Sequence, residues 1–278
     1  MEKPAVAVTL ARDTRQAFDS VAADYHRSNV ENPLLSDMRR QTIAAVRRHV
    51  AAGSRVLDLG CGPGTDAETL ARHGYWMVAI DGAPRMVDEA RRRMATASVS
   101  DRVVVHHLGI EDLDALPMNC VDAVCSDFGP LNCVADLDGA AHLIARRLRA
   151  DGVLIASVIG RVCPWEIALY TARGDHRRAR IRFSRERVPV PLNGHTVWTR
   201  FYTPREFVRA FHGAGFRQIS VQALALFTPP PYMQAFAERH PALVHRLQQI
   251  DAAAGAWPLL RQAGDHFLIV LQKNRADA

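Results

Sequence analysis

The apolar positions of this chain fall into three regimes. From residue 14 to 50 they recur at helical spacing. Phe18, Val21, Ala22 and Tyr25 share one face, Met38, Ile43, Ala45, Val46 and Val50 make a second amphipathic stretch, and Asn32-Pro33 parts the two. From 55 to 159 short apolar runs alternate with helical stretches. Strands are predicted at 55–59, 76–80, 103–105, 121–125 and 153–159. Helices are predicted over 65–73, from Pro84 through Ala90, and over 140–148. Pro84 suits a first helical turn, where its missing N–H is not needed. Continuous apolar runs mark strands buried on both faces. Strict β/α alternation predicts a parallel sheet with helices on both sides.

Beyond residue 160 the pattern loosens. Residues 161–200 read as irregular and arginine-rich. A helix restarts at Thr203-Pro204-Arg205-Glu206 and stops at Gly213 and Gly215. A strand covers 216–227, Pro229-Pro230-Pro231 ends it, a helix covers 232–254, and 266–271 is a last strand. The expectation is one α/β domain over 1–278. It has an N-terminal helical cap (14–50), a doubly wound core (51–160), two cap insertions (161–200 and 228–263) and a closing strand (264–273). There is no internal repeat.

Composition narrows the class. Apolar residues make up 48% of the 278, enough for a full core, so disorder is not expected beyond the ends. The cysteines are Cys61, Cys120, Cys125, Cys133 and Cys163, an odd set without a C-x-x-C pair. That argues against both a disulfide framework and a zinc site, and no His/Asp/Glu group has metal-ligand spacing. Free thiols fit a reducing cytosol. The N-terminus lacks the basic-then-apolar pattern of a leader, and no apolar run approaches the roughly 20 residues that span a bilayer. A cytoplasmic protein, monomer or homodimer, is expected. The formal charge of +6 is mostly arginine. It admits a nucleic-acid, anionic-lipid or anionic-substrate partner, or nothing more than an Arg-rich genome.

The segment Val56-Leu57-Asp58-Leu59-Gly60-Cys61-Gly62-Pro63-Gly64-Thr65 carries the chemistry. A strand runs into a glycine turn and then a helix, and in a doubly wound sheet ligands bind beyond such strand ends. A dinucleotide site needs G-x-G-x-x-G, so that a pyrophosphate meets the helix N-terminus. Here the glycines stand at 60, 62 and 64, and an acid, Asp58, precedes them. A carboxylate there repels pyrophosphate and suits the ammonium group of an amino-acid-like cation. The charge logic selects S-adenosylmethionine (SAM) over NAD. The second strand ends in Asp81-Gly82, and an acid there can hold two ribose hydroxyls.

These residues resemble the class I SAM-dependent methyltransferase family, in particular its small-molecule "type 11" branch. The D-x-G-x-G-x-G loop at 58–64, Asp81 and the run Leu108-Gly109-Ile110-Glu111-Asp112-Leu113 match it over roughly 14–160. The resemblance implies a Rossmann-like, seven-stranded, mostly parallel sheet whose seventh strand runs antiparallel between the fifth and sixth. It implies cofactor contacts from Asp58, Gly60, Gly62, Gly64, Asp81, Gly82, Met86, Ile110, Glu111 and Ser126. The adenine segment departs from the family in carrying Gly109 where an Asp is usual, which shifts the amine contact to Glu111 or a backbone carbonyl.

Methyl transfer is a displacement at carbon, so alignment and exclusion of water dominate, and a base is needed only for a protonated nucleophile. In the turn Cys125-Ser126-Asp127-Phe128-Gly129-Pro130-Leu131-Asn132-Cys133, Asp127 either holds the acceptor and takes its proton or caps the turn. Tyr25 either closes over the cofactor or packs a core. His26, His195 and His266 are candidate bases, each equally readable as a surface or core histidine. Tyr202, Trp198, Trp165 and Tyr170 either line the acceptor pocket or pack. Arg173, Arg177, Arg178, Arg180, Arg182, Arg185 and Arg187 form either a solvated face or a gate for an acidic acceptor. The leading expectation is methyl transfer to a small or lipid-like acceptor, acidic acceptors included. The alternatives are a nucleic-acid methyltransferase, a SAM-binding protein without catalysis and an NAD-dependent oxidoreductase.

Overall fold

The computed structural model describes residues 4–118 and 120–275, with the side chains of Pro4, Ala5, His26, Ser28 and Val30 outside the description. It opens with two helices, α1 (Pro4–Val30) and α2 (Pro33–His49). The break between them is chemical. The Asn32 side chain accepts the N–H groups of Leu34 at 3.0 Å and Leu35 at 3.4 Å, and Pro33 takes the first turn of α2. Helix α1 starts ten residues before the predicted position. The added turns bury Leu10, which continues the buried stripe of Thr14 and Ala17.

The core follows in alternation: β1 (Arg55–Leu59), α3 (Thr65–Arg72), β2 (Trp76–Asp81), α4 (Pro84–Thr96), β3 (Val103–His107), β4 (Val121–Ser126), α5 (Pro130–Cys133), α6 (Leu137–Arg147) and β5 (Leu148–Ile159). Then come α7 (Pro164–Ala172), α8 (His176–Ala179), β6 (Val188–Leu192), β7 (His195–Thr199), α9 (Pro204–Gly213), β8 (Phe216–Leu224), α10 (Gln234–Arg239), α11 (Pro241–Ala254) and β9 (His266–Lys273). Seven strands form one sheet in the order β3-β2-β1-β4-β5-β9-β8. β1 to β5 pair in parallel, and β9 runs antiparallel to both β5 and β8. This is the doubly wound, mostly parallel sheet expected, with its strand order reversing between β1 and β4.

Period-2 alternation explains the continuous apolar runs. Leu57 and Leu59 face α6 and α9 in a cluster with Ile144, Phe207 and Phe211. Val56 faces the other way, with Met38 and Val46 of α2, Leu70 of α3 and Ala90 of α4. Both faces of the central strands are buried, so most of their positions are apolar.

Three expectations change. Residues 161–200 are not irregular: they hold α7, α8 and a hairpin of β6 and β7. The hairpin turns at Asn193-Gly194, both at positive φ (47° and 78°), the pair that a tight two-residue hairpin favours. The predicted helix over 232–254 is broken at His240-Pro241 into α10 and α11. The strand predicted over 216–227 stops at Leu224, because Ala225 turns the chain at φ 50°.

Candidate active site

The turn after β1 sits at the strand-order reversal. Gly60 is required by close packing, since a Cβ there would lie 2.6 Å from the Pro130 ring. Gly64 is required by α4, since its Cβ would lie 3.1 Å from Ala90 Cβ and 2.8 Å from Met94 Cε. Gly62 meets only open space and the Tyr25 ring at 3.9 Å. The turn therefore shows its backbone to a cavity of about 370 Å³ lined by Gly60, Cys61 and Gly62.

Carboxylates surround that turn. Asp81 accepts the Gly62 N–H and the Ala83 N–H, each at 2.8 Å. Burial raises its pKa, against the lowering pull of those two N–H groups. Asp58 is buried behind the turn, and its Oδ2 has no partner among the described residues. Burial and then the charges of Asp66, Asp127 and Asp81 push its pKa well up. Asp127 is buried beside Phe128, whose φ of 59° marks a constrained turn. Its Oδ1 accepts the Thr42 hydroxyl at 3.1 Å, the Phe128 N–H at 3.0 Å and the Ser157 hydroxyl, while its Oδ2 has no described partner. Burial and repulsion from Asp66 raise its pKa to about 7, against the Ser157 and Thr42 hydrogen bonds and the charge of Arg39.

Arg39 of α2 opposes the charge of Asp58 and Asp127. It donates to Asp66 at 2.6 Å, and its guanidinium lies 4.9 Å from the centre of the Phe128 ring. Arg39, Asp66, Thr42 and Ser157 carry no motif spacing. They meet only because α2 and β5 pack onto the ends of β1 and β4, so sequence reasoning missed them.

Helix α1 and the β6–β7 hairpin form the roof. The Trp198 indole Nε1 donates to Asp13 at 3.2 Å, its backbone N–H donates to the Thr14 hydroxyl at 3.3 Å, and Asn193 donates to the Ser20 carbonyl at 3.2 Å. Asp19 of α1 accepts the Arg85 N–H at 2.9 Å, capping α4, whose own N-cap, Ala83, has no side-chain acceptor. Phe18 and Tyr25 pack on Ala83 and Met86.

Of the residues named from sequence, Tyr25, Gly60, Gly62, Asp81, Gly82, Met86, Ile110, Glu111 and Asp127 line one cavity. Asp58, Gly64, Ser126 and His195 do not. Ser126 is fully buried and its hydroxyl donates to the Leu59 carbonyl at 3.4 Å, a tie between β4 and β1 and not a ligand contact. His195 is exposed at the hairpin end of β7, which removes it as a base at the cavity. Burial and the charge of Asp81 raise Tyr25 to about 12, so it stays protonated and does not serve as a base. His266 pairs with Asp265 at 2.8 Å, and the side chain of His26 lies outside the described residues.

The other aromatic candidates pack. Trp165 donates to the Phe227 carbonyl at 2.7 Å, Tyr170 lies under Arg178, and Tyr202 is buried against Phe207. The arginine gate loses two members. Arg182 is buried between Glu166 and Asp265 at 2.7 Å each, and Arg187 donates to the Val134 and Ala135 carbonyls. The other five are exposed and none lines the cavity.

Residues 56–152 match the family described as a methyltransferase domain. A ubiquinone biosynthesis O-methyltransferase of Xanthomonas oryzae pv. oryzae is 39% identical over 111 residues, 40% of this chain and 45% of that protein. A demethylmenaquinone methyltransferase of Clavibacter sepedonicus is 35% identical over 140 residues, 50% of this chain and 54% of that protein. The chain thus spans about half the length of these relatives. Among solved structures, the CcbJ methyltransferase of Streptomyces caelestis superposes with a TM-score of 0.62 at 15% identity, covering 93% of this chain and 98% of that one. The 1,6-didemethyltoxoflavin-N1-methyltransferase of Burkholderia thailandensis, solved with S-adenosylhomocysteine, gives 0.59 at 16% identity over 97% of this chain and 91% of that one. The core is a class I methyltransferase fold. Among the described residues no helix is long and apolar enough to cross a membrane.

Proposed function

We propose that the chain is a SAM-dependent methyltransferase whose acceptor is a small, mainly apolar molecule with an aromatic hydroxyl. The observation that carries this is a glycine turn backed by two buried carboxylates, Asp58 and Asp127, each with an oxygen lacking a described partner. Buried unpaired carboxylate oxygens are costly and favour a cationic or donor ligand. The residues fit SAM on this ground. Asp127 on the cavity wall would face its ammonium and sulfonium charges, Asp58 would add its field from behind the turn, and Asp81 would hold the ribose hydroxyls. Each Asp81 oxygen receives one N–H and keeps a second lone pair. When bound, the cofactor supplies a methyl group on a cationic sulfur that leaves as a neutral thioether.

The acceptor class is argued from the roof and from the relatives. Val190, Leu192 and Val197 of the hairpin, with Val134 and Ile159, make that wall of the cavity apolar. The two relatives act, by name, in making ubiquinone and menaquinone. Asp127 lines the cavity and holds a proton to about pH 7, where a general base works best. It takes the hydroxyl proton as the acceptor oxygen becomes the nucleophile. Tyr25 covers the site and excludes water. The five exposed arginines of the insertion stand off the cavity and Arg39 within it is paired with Asp66, so the proposed acceptor is neutral. A cytoplasmic location belongs to the same proposal, supported by five free cysteines.

Calorimetry with S-adenosylhomocysteine tests the cofactor. The wild type binds it and does not bind NAD. Asp81→Ala weakens binding by about 1.5–3 kcal/mol, the range for hydrogen bonds to a charged group. Binding of NAD in place of S-adenosylhomocysteine would sink the reading. For the acceptor, Asp127→Asn lowers turnover of a catechol or hydroquinone by about 100-fold or more, the range for a lost general base.

A further inference from the structure

We infer that Arg15 of α1 is a cofactor-binding residue that covers the purine base with the plane of its guanidinium. The inference rests on the SAM reading above and adds to it a ligand contact supplied by the roof helix.

Arg15 lines the same cavity as the glycine turn, and it does so between two glycines. A Cβ on Gly82, just after β2, would lie 3.0 Å from Arg15 Nε, and one on Gly109, two residues after β3, would lie 2.5 Å from Arg15 Nη2. Neither glycine is in the left-handed region, and Gly109 has φ −76° and ψ 158°, open to any residue. The backbone does not require glycine at either place. At both places it is the Arg15 side chain that a Cβ would displace. The side chain thus crosses the gap between the ends of β2 and β3, where a doubly wound fold places the base of a nucleoside whose ribose meets the acid of β2.

The guanidinium is also available there. Its nearest carboxylates, Glu111 at 3.8 Å and Asp112 at 3.6 Å, are beyond hydrogen-bond length and half-exposed. A guanidinium is planar and donates only, so it can stack on a purine face but cannot accept from the exocyclic amine. Glu111, which lines the same wall, is an acceptor for that amine. Because Ala11, Thr14 and Phe18 of the same helix line the cavity too, a base held by Arg15 also holds the roof of the acceptor site.

The test uses S-adenosylhomocysteine as probe, with calorimetry and amide hydrogen exchange on the full chain. R15A and G109A each weaken binding by about 5-fold or more, as loss of a cation–π stacking contact predicts, and R15K restores little because an ammonium cannot stack as a plane. Binding slows exchange over residues 10–25 in the wild type and not in R15A. Arg15 is half-exposed, so R15A is expected to fold, and G109A expels the same guanidinium from the opposite side. R15A affinity within that margin of wild type, with protection of α1 retained, overturns the inference while Asp81→Ala still loses binding. A wild type that does not bind the probe at all overturns the function reading and this inference together.

Discussion

Asp127 is a buried acid that keeps its proton to near neutrality, and that has a consequence for stability. Desolvation and Asp66 favour its neutral form in the folded chain. Between the ordinary carboxyl value of about 4 and its raised value, the folded state therefore binds a proton that the unfolded state has lost. Its contribution to stability falls as pH rises through that window, from about pH 4 to pH 7, and is flat above it. Asp127→Asn removes this term. Urea unfolding at pH 5 and pH 8 is expected to show the variant gaining on the wild type at the higher pH. An unchanged difference between the two pH values would count against the protonation assigned here. The residues that bear charge in the site were only partly legible. Asp58, Asp81 and Asp127 stand at strand ends beside glycines, which is a local signal. Arg39, Asp66 and Arg15 lie on helix surfaces, where any sequence reading takes them for solvated charge.

The elements that roof the cavity, and so bound the proposed acceptor site, are α1 and the β6–β7 hairpin. Trp198 carries two of the bonds between them, one from its indole to Asp13 and one from its backbone to Thr14. Trp198→Phe removes the first and leaves the second. It should cost about 1.5–3 kcal/mol if the bond to the charged Asp13 is fully lost. Amide exchange should speed up over residues 10–20 and 195–199, leaving β1 and β4 protected; uniform acceleration would show that the roof is not a separable unit. Helices and strands of the core were legible because burial on both faces makes each strand a continuous apolar run. The hairpin was not, although Asn193-Gly194 is a turn signal. Pro189 and Pro191 argue against a strand, and only a two-stranded ribbon with free outer edges accommodates them.

At the scale of the whole molecule, the arginine-rich insertion is pinned to the sheet by one buried ion cluster. Arg182 pairs with Glu166 of α7 and with Asp265 at the start of β9, and donates to the carbonyls of Gly160 and Asp265. Burial would raise Asp265, but the charges of Arg182 and His266 win and hold it well below the usual range. The same guanidinium fills the space among Cys163, Glu166 and Asp265, whose ligand atoms lie within 4.8 Å of one another. Arg182→Met removes the cation from Glu166 and leaves the buried Asp265 with His266 as its other side-chain partner. It should cost about 3–5 kcal/mol in chemical denaturation, whereas an exposed control such as Arg177→Met costs nearly nothing. A small effect at Arg182 would show that the insertion is held by packing alone. What the chain alone determined is the doubly wound core and the glycine turn with its acids, because period-2 burial and backbone approach to a ligand depend on neighbours in sequence. What only the tertiary structure decided is the roof, the pairing of Arg39 and Arg182 and the place of Arg15. Those contacts join residues far apart in the chain, and a charge in sequence carries no sign of whether folding will bring it a partner or leave it in water.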